Sequence, residues 1–172
     1  KGLIAEVNEE WNQAKGFYEE ILVIDPNLEE VKESLSRVES RILLDAEMIS
    51  IIARSDAYND NKVLGQAQAL LGTAKSIERI GPKLEESIQK LDSLIRIALI
   101  PIDVIFESDQ LTEVTIFKVD QMGTFQQKIV SLRPGIYTAR GSRKGFKDET
   151  IRFRVDPNKK NQRVRIICNK KI

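Results

Sequence analysis

Histidine is absent from this 172-residue sequence, cysteine and tryptophan occur once each, and aromatic residues make up only 6%. Without histidine the chain lacks the usual general base and the commonest metal ligand. A lone Cys168 excludes a disulfide framework and a cysteine metal cluster. Set in the apolar run VRIIC, it is expected as a buried, inert thiol. No stretch approaches about 18 uninterrupted apolar residues, so nothing reads as a membrane-spanning helix. The sequence starts at Lys1 rather than methionine, and the expectation is a fragment, with any signal peptide or membrane tether outside it.

Net charge is also nearly absent, at +1, but it is unevenly spread. Residues 1–100 hold 12 Lys/Arg and 18 Asp/Glu, whereas residues 101–172 hold 15 and 8. Such asymmetry bears on partners rather than on fold.

The first hundred residues are helical in pattern. Leu84, Ile88, Leu91, Leu94, Ile95 and Ala98 recur in steps of three and four, one apolar stripe. Gly81 and Pro82 precede it, glycine suited to closing one helix and proline to opening the next. The helix before is expected over 62–79, burying Val63, Leu64, Ala67, Leu70, Leu71, Ala74 and Ile77, with an entrance, SDAYNDN, rich in capping side chains. Asp56, Asp60 and Asn61 do not read as a calcium loop, because the alternating ligands, central glycine and closing glutamate are missing. A long helix is expected from Leu28 to about Ala53.

Beyond Ile100–Pro101 the composition changes to Val, Ile, Thr and Phe in short alternating runs, IDVIF, EVTIFKV, FQQKIVSL, IYTARG, ETIRFRV and VRIIC. Six or seven short strands predict a small β-sandwich. LRPGIY reads as a type II turn with glycine at the positive-φ position, and Gly145 serves the next turn. Tyr137, Phe146, Phe106, Phe117, Phe125 and Phe153 are expected to face the core. The fold class is therefore α+β in two domains, helices over 1–99 and an all-β sandwich over 100–172.

Two family resemblances attach to quoted stretches. In AKGFYEEILVIDPN, Ala14, Tyr18, Ile21 and Pro26 resemble the second helix of a tetratricopeptide repeat. A small residue permits close helix approach, an aromatic fills the gap and a proline ends the helix. The likeness covers residues 5–27 and implies further repeats stacked on this one. SLRPGIYTARGSRKGFKDETIRFRV resembles the second half of PEGA-type β-sandwich modules, and VTIFKVDQMGTFQQKIVSL the first half, although the Pro-Glu-Gly-Ala tetrapeptide is missing. Residues 60–172 as a whole, including SDQLTEVTIFKV and CNKKI, are similar to the C-terminal end of bacterial tetratricopeptide-repeat envelope proteins. That resemblance implies a membrane-tethered protein lying outside the cytoplasm and acting by binding.

The candidate contact residues are basic. Arg140, Arg143, Lys144 and Lys147 surround the turn at Gly145, and Arg152 and Arg154 alternate along the next run while Ile151, Phe153 and Val155 face inward. Arg163 and Arg165 repeat the pattern in the last run. If these strands are neighbours they form one basic stripe.

Three classes of function compete. An envelope adaptor would hold a protein partner on its helices. Alternatively, the stripe would bind an anionic glycan or lipid headgroup. Nucleic acid fits less well, because the aromatics read as core rather than as stacking platforms. An enzyme would need a catalytic constellation, and none is found. Asp103, Glu107, Asp109 and Glu113 are only close in sequence, and GSRKG lacks the Gly-Lys-Ser/Thr ending of a phosphate loop and precedes a strand. The expectation is a non-catalytic, periplasmic or envelope adaptor with no cofactor and no metal.

Overall fold

The computed structural model describes residues 1–172. Five helices, α1 (Gly2–Val7), α2 (Trp11–Ile24), α3 (Glu29–Ala53), α4 (Asn61–Lys75) and α5 (Pro82–Ala98), precede seven strands. The strands are β1 (Ile102–Glu107), β2 (Glu113–Ile116), β3 (Asp120–Gly123), β4 (Gln127–Leu132), β5 (Gly135–Ser142), β6 (Glu149–Val155) and β7 (Gln162–Arg165). A 3-10 turn, Ser55–Ala57, lies between α3 and α4. No helix is long and apolar enough to cross a membrane.

Helices come first and strands second, as the composition shift predicts, but the compact units divide elsewhere than at residue 99. One unit comprises 1–53 with 65–93, the other 54–64 with 94–172. The segment 54–64 therefore belongs with the strands.

In the helical unit, Ala5, Ala14, Tyr18 and Val38 form a small buried cluster, with Trp11, Phe17, Val31, Leu35 and Ile42 packed around it. Gly2 lets Tyr18 lie against α1, since a Cβ there would meet the phenol ring at 2.7 Å. Along α5 the predicted stripe is buried at Leu84, Ile88, Leu91, Ile95 and Ala98. Proline opens this helix as expected. Gly81 does not close the preceding one, because α4 ends at Lys75. Its lack of a side chain instead admits Glu9, whose carboxyl carbon lies 2.4 Å from where a Cβ would be.

The strands form two sheets, ordered β4-β1-β7 and β3-β2-β5-β6. Both contribute to one apolar core, Val104 and Phe106 from β1 meeting Val114, Ile116, Tyr137, Ala139 and Val155 from the other sheet. This is a two-layer sandwich with its core between the sheets. β1 runs antiparallel to β4 and parallel to β7.

Phe106 is fully buried and Tyr137 nearly so, while Phe125 and Phe153 pack at the core margin. Two aromatic expectations are corrected. Phe117 is 48% exposed, because Val114 and Ile116 take the inward parity and the next residue points out. Phe146 lies outside the core and carries the Arg143 guanidinium 4.2 Å from its ring centroid.

The Pro134–Gly135 corner joins strands of different sheets, β4 in one and β5 in the other. It is not a hairpin turn. Gly135 has φ +150°, well away from the roughly +80° of a type II turn. Tyr137 pins the corner by donating its hydroxyl to the Arg133 carbonyl, 3.0 Å away.

Candidate functional site

The eight basic residues do not gather. β6 pairs only with β5, and β7 only with β1. Since Ile151, Phe153, Val155 and Val164 all turn toward the common core, Arg152 and Arg154 face out from one sheet and Arg163 and Arg165 from the other. The single stripe is thus split between opposite faces of the sandwich.

Four of the eight already have acidic partners. Arg140 bonds Asp148, Arg143 lies 3.2 Å from Asp109, Arg154 bonds Asp56 and Arg163 lies 2.6 Å from Glu107. The Arg140 hydrogen bond, helped by Ser142, holds the Asp148 carboxyl below its ordinary value. Burial pushes Asp109 up, but the N–H groups of Thr112 and Leu111 outweigh it and leave this carboxyl low. Lys144, Lys147, Arg152 and Arg165 have no acidic partner within ion-pair distance. Arg165 lines a hollow of about 550 Å³ with Glu107, Ser108, Gln126 and Gln127.

The acidic residues close in sequence after Pro101 also separate. Asp103 accepts from Ser131, Glu107 faces Arg163, and Asp109 closes its own loop by accepting the Thr112 N–H at 2.8 Å. No group of three or more Cys, Asp or Glu residues is placed to hold a metal.

Segment 54–64 supplies the expected helix cap, Asp60 accepting the Lys62 N–H at 2.9 Å at the start of α4, and also makes four polar contacts with the sandwich that the sequence does not announce. Asp56 holds Arg154, Asn59 donates to the Ile136 carbonyl at 2.9 Å, Asp60 takes Lys118 at 3.1 Å, and Asn61 takes Arg133 at 2.8 Å. Asn59 sits so close to the corner that a Cβ on Gly135 would lie 2.7 Å from its Cγ. The hydrogen bond from Lys118, with that from the Lys62 N–H, lowers the Asp60 carboxyl below its ordinary value. The corner in SLRPGIY is therefore the seat of this segment.

A second feature invisible in the sequence lies inside the helical unit. Glu9, at φ +54° between α1 and α2, is 6% exposed, as is Arg41. Its carboxylate accepts from Arg41 at 3.1 Å, from the Lys83 N–H at 2.8 Å and from the Leu84 N–H at 3.3 Å. Glu9 thus caps the start of α5, where free N–H groups and the helix dipole favour an anion. Arg41 also bonds Asp45 at 2.8 Å and stacks on Trp11, 5.0 Å from the ring centroid.

Beside this node runs a groove of about 1050 Å³, lined by α1 at Leu3, Glu6 and Val7, by Trp11, by α3 at Arg37, Ser40, Arg41 and Leu44, and by Thr73 and 77–81. Leu3 and Val7 are 67% and 81% exposed. On its wall Glu6 accepts two hydrogen bonds from Arg37, at 3.0 and 3.1 Å, and one from Tyr18. Burial raises the Glu6 carboxyl, but the Arg37 and Tyr18 hydrogen bonds and the charges of Arg37 and Arg79 outweigh it, leaving it low. The lining carries three arginines and three glutamates, so it presents apolar walls and little net charge. The only sequence signal of this groove is the small-aromatic spacing at Ala14 and Tyr18, which brings α1 and α2 together.

No protein-family model matches the chain, and no curated protein matches it.

Proposed function

We propose that the chain is a non-catalytic adaptor that holds a segment of a protein partner in the groove of its helical unit. The observation that carries this reading is the groove itself. It has the size of a binding cleft, exposed aliphatic side chains at its rim, and arginines and carboxylates largely matched to one another. Matched charge favours burial of a mostly apolar segment over capture of a free ion. A place in a bacterial envelope, outside the cytoplasm and tethered to the inner membrane, is part of the proposal and is supported by the resemblance carried by residues 60–172.

Purification of the intact protein from native membranes tests it. A defined partner should be retained by the natural chain and lost from the Leu3→Glu/Val7→Glu variant, with only modest dependence on salt. Equal retention by that variant refutes the groove.

The second reading, an anionic glycan or lipid headgroup on the strand unit, is favoured by one observation, the lack of acidic partners at Lys144, Lys147 and Arg152. It requires binding that weakens steeply with salt and is insensitive to Leu3 and Val7.

A further inference from the structure

β6 is an outer strand of the four-stranded sheet, bonded to β5 on one side only. No backbone hydrogen bond from any other segment reaches residues 149–155. Alternate residues of such a strand aim their N–H and C=O groups at solvent, a template for one more strand. Proteins blunt this hazard with short edges, prolines, bulges or charged side chains. β6 has only the last, Glu149, Arg152 and Arg154, and its two arginines deter a basic strand but not an acidic one. It is seven residues long, free of proline, and paired without a register shift from Gly135↔Val155 to Gly141↔Glu149.

The other edges differ. β3 and β7 have four residues each, and β3 pairs with a register shift. β4, six residues long and paired without a register shift, is as open as β6 in its backbone, but it differs in chemistry, because its single cation, Lys128, already lies 3.9 Å from Asp120 and leaves no free charge to select a partner.

The side chains of β6 specify the chemistry of what would pair with it. On the inner face Ile151 and Phe153 pack against the core yet are only partly buried. Phe153 stacks on Tyr137 at 5.7 Å and meets Phe106 edge-on at 5.5 Å, so the apolar layer ends there unfinished. On the outer face Arg152 is exposed without an acidic partner, and Lys147 precedes the strand in the same condition. A second antiparallel copy of β6 centred on Arg152 or Phe153 would set arginine against arginine, and like charges across strands repel, whereas one centred on Ile151 would set Arg152 opposite Thr150 and leave it unanswered. Charge complementarity thus selects a different chain.

We propose that β6 is a strand-addition site. An extended segment of a partner protein, aliphatic on one face and acidic on the other, pairs with Glu149–Val155 as a fifth strand, continuing the core past Phe153 and answering Arg152. Main-chain hydrogen bonds supply the affinity and the alternating side chains the selectivity. The inference goes beyond the helical groove and does not rest on it.

The test uses the full chain and three blocked synthetic peptides: one of alternating Val and Glu, one of alternating Val and Lys, and the Val-Glu peptide N-methylated at alternate residues. The Val-Glu peptide is expected to slow amide exchange across residues 149–155, and N-methylation to abolish that protection. Arg152→Glu should weaken the Val-Glu peptide by about tenfold and strengthen the Val-Lys peptide comparably. Leu3→Glu/Val7→Glu should leave both unchanged, separating failure here from failure of the groove. Equal binding of the N-methylated peptide would show a simple polyanion contact and overturn strand addition. Protection of β6 by self-association alone, or no protection by any peptide, overturns it as well.

Discussion

In the helical unit a glutamate and an arginine lie inside, Glu9 and Arg41 each 6% exposed. The eleven residues at the centre of the sandwich include no charged side chain. The difference is not one of apolar burial, since the helical unit also buries Leu44, Met48, Ile51, Leu84, Ile88 and Leu91. Apolar contact is non-directional, so packing alone leaves the ends of α1, α3 and α5 free to slide against one another. A carboxylate accepting two N–H groups of α5 and a guanidinium of α3 sets those positions by geometry. The sandwich closes two sheets on one core, which leaves its charges at the surface for the clasp of 54–64 and for contact with other molecules.

Substitution on each side breaks the comparison most directly. Phe106→Ala should cost about 4 kcal/mol, the transfer and cavity cost of a fully buried aromatic, and amide exchange should accelerate across the strands while α1–α3 stay protected. Glu9→Gln keeps the shape but leaves Arg41 short of a buried counter-charge. A cost of about 3 kcal/mol is expected, appearing in α1–α3 and the start of α5. If either variant loosened both units equally, buried charge would not be what distinguishes them.

A smaller effect tests the corner. Gly135→Ala places a Cβ at a positive φ and against Asn59, for about 2 kcal/mol in total. Asn59→Ala relieves the contact but not the backbone strain. The double variant should therefore recover part of the loss and no more, and denaturation of the four chains measures the coupling. Full recovery would mean that φ is not the constraint.

Periodicity made much of this legible in advance. The steps of three and four along α5 and the alternation in β1, β5 and β6 are local, and local patterns dictate which face of an element is buried. What alternation does not encode is the sheet to which a strand belongs. Arg154 and Arg165 share a pattern and sit on opposite faces of the sandwich. Segment 54–64 is half legible for a related reason, since Asp60 caps α4 with one carboxylate oxygen and holds Lys118 with the other, and residue type announces only the local partner. Glu9 gave no signal because its partners lie 32 and 75 residues away, and only the tertiary fold makes a buried carboxylate tolerable.

The smallest effect separates the units by acid and salt. Glu6 is held below its ordinary value in the folded chain, so the unfolded chain takes up that proton first. The stabilisation it provides is complete above the ordinary carboxylate range and drains away as pH falls toward the lowered value. Asp148, in the strand unit, is shifted the same way, but its side chain is 36% exposed against 14% for Glu6, and exposed pairs are screened by salt. Trp11 is the only tryptophan and lies in the helical unit, so its fluorescence reports on that unit alone. An acid-induced loss of stability in this signal should persist at high salt and flatten in Glu6→Gln. The same slope in Glu6→Gln would place the acid sensitivity elsewhere and remove Glu6 from the groove wall as a stabilising contact.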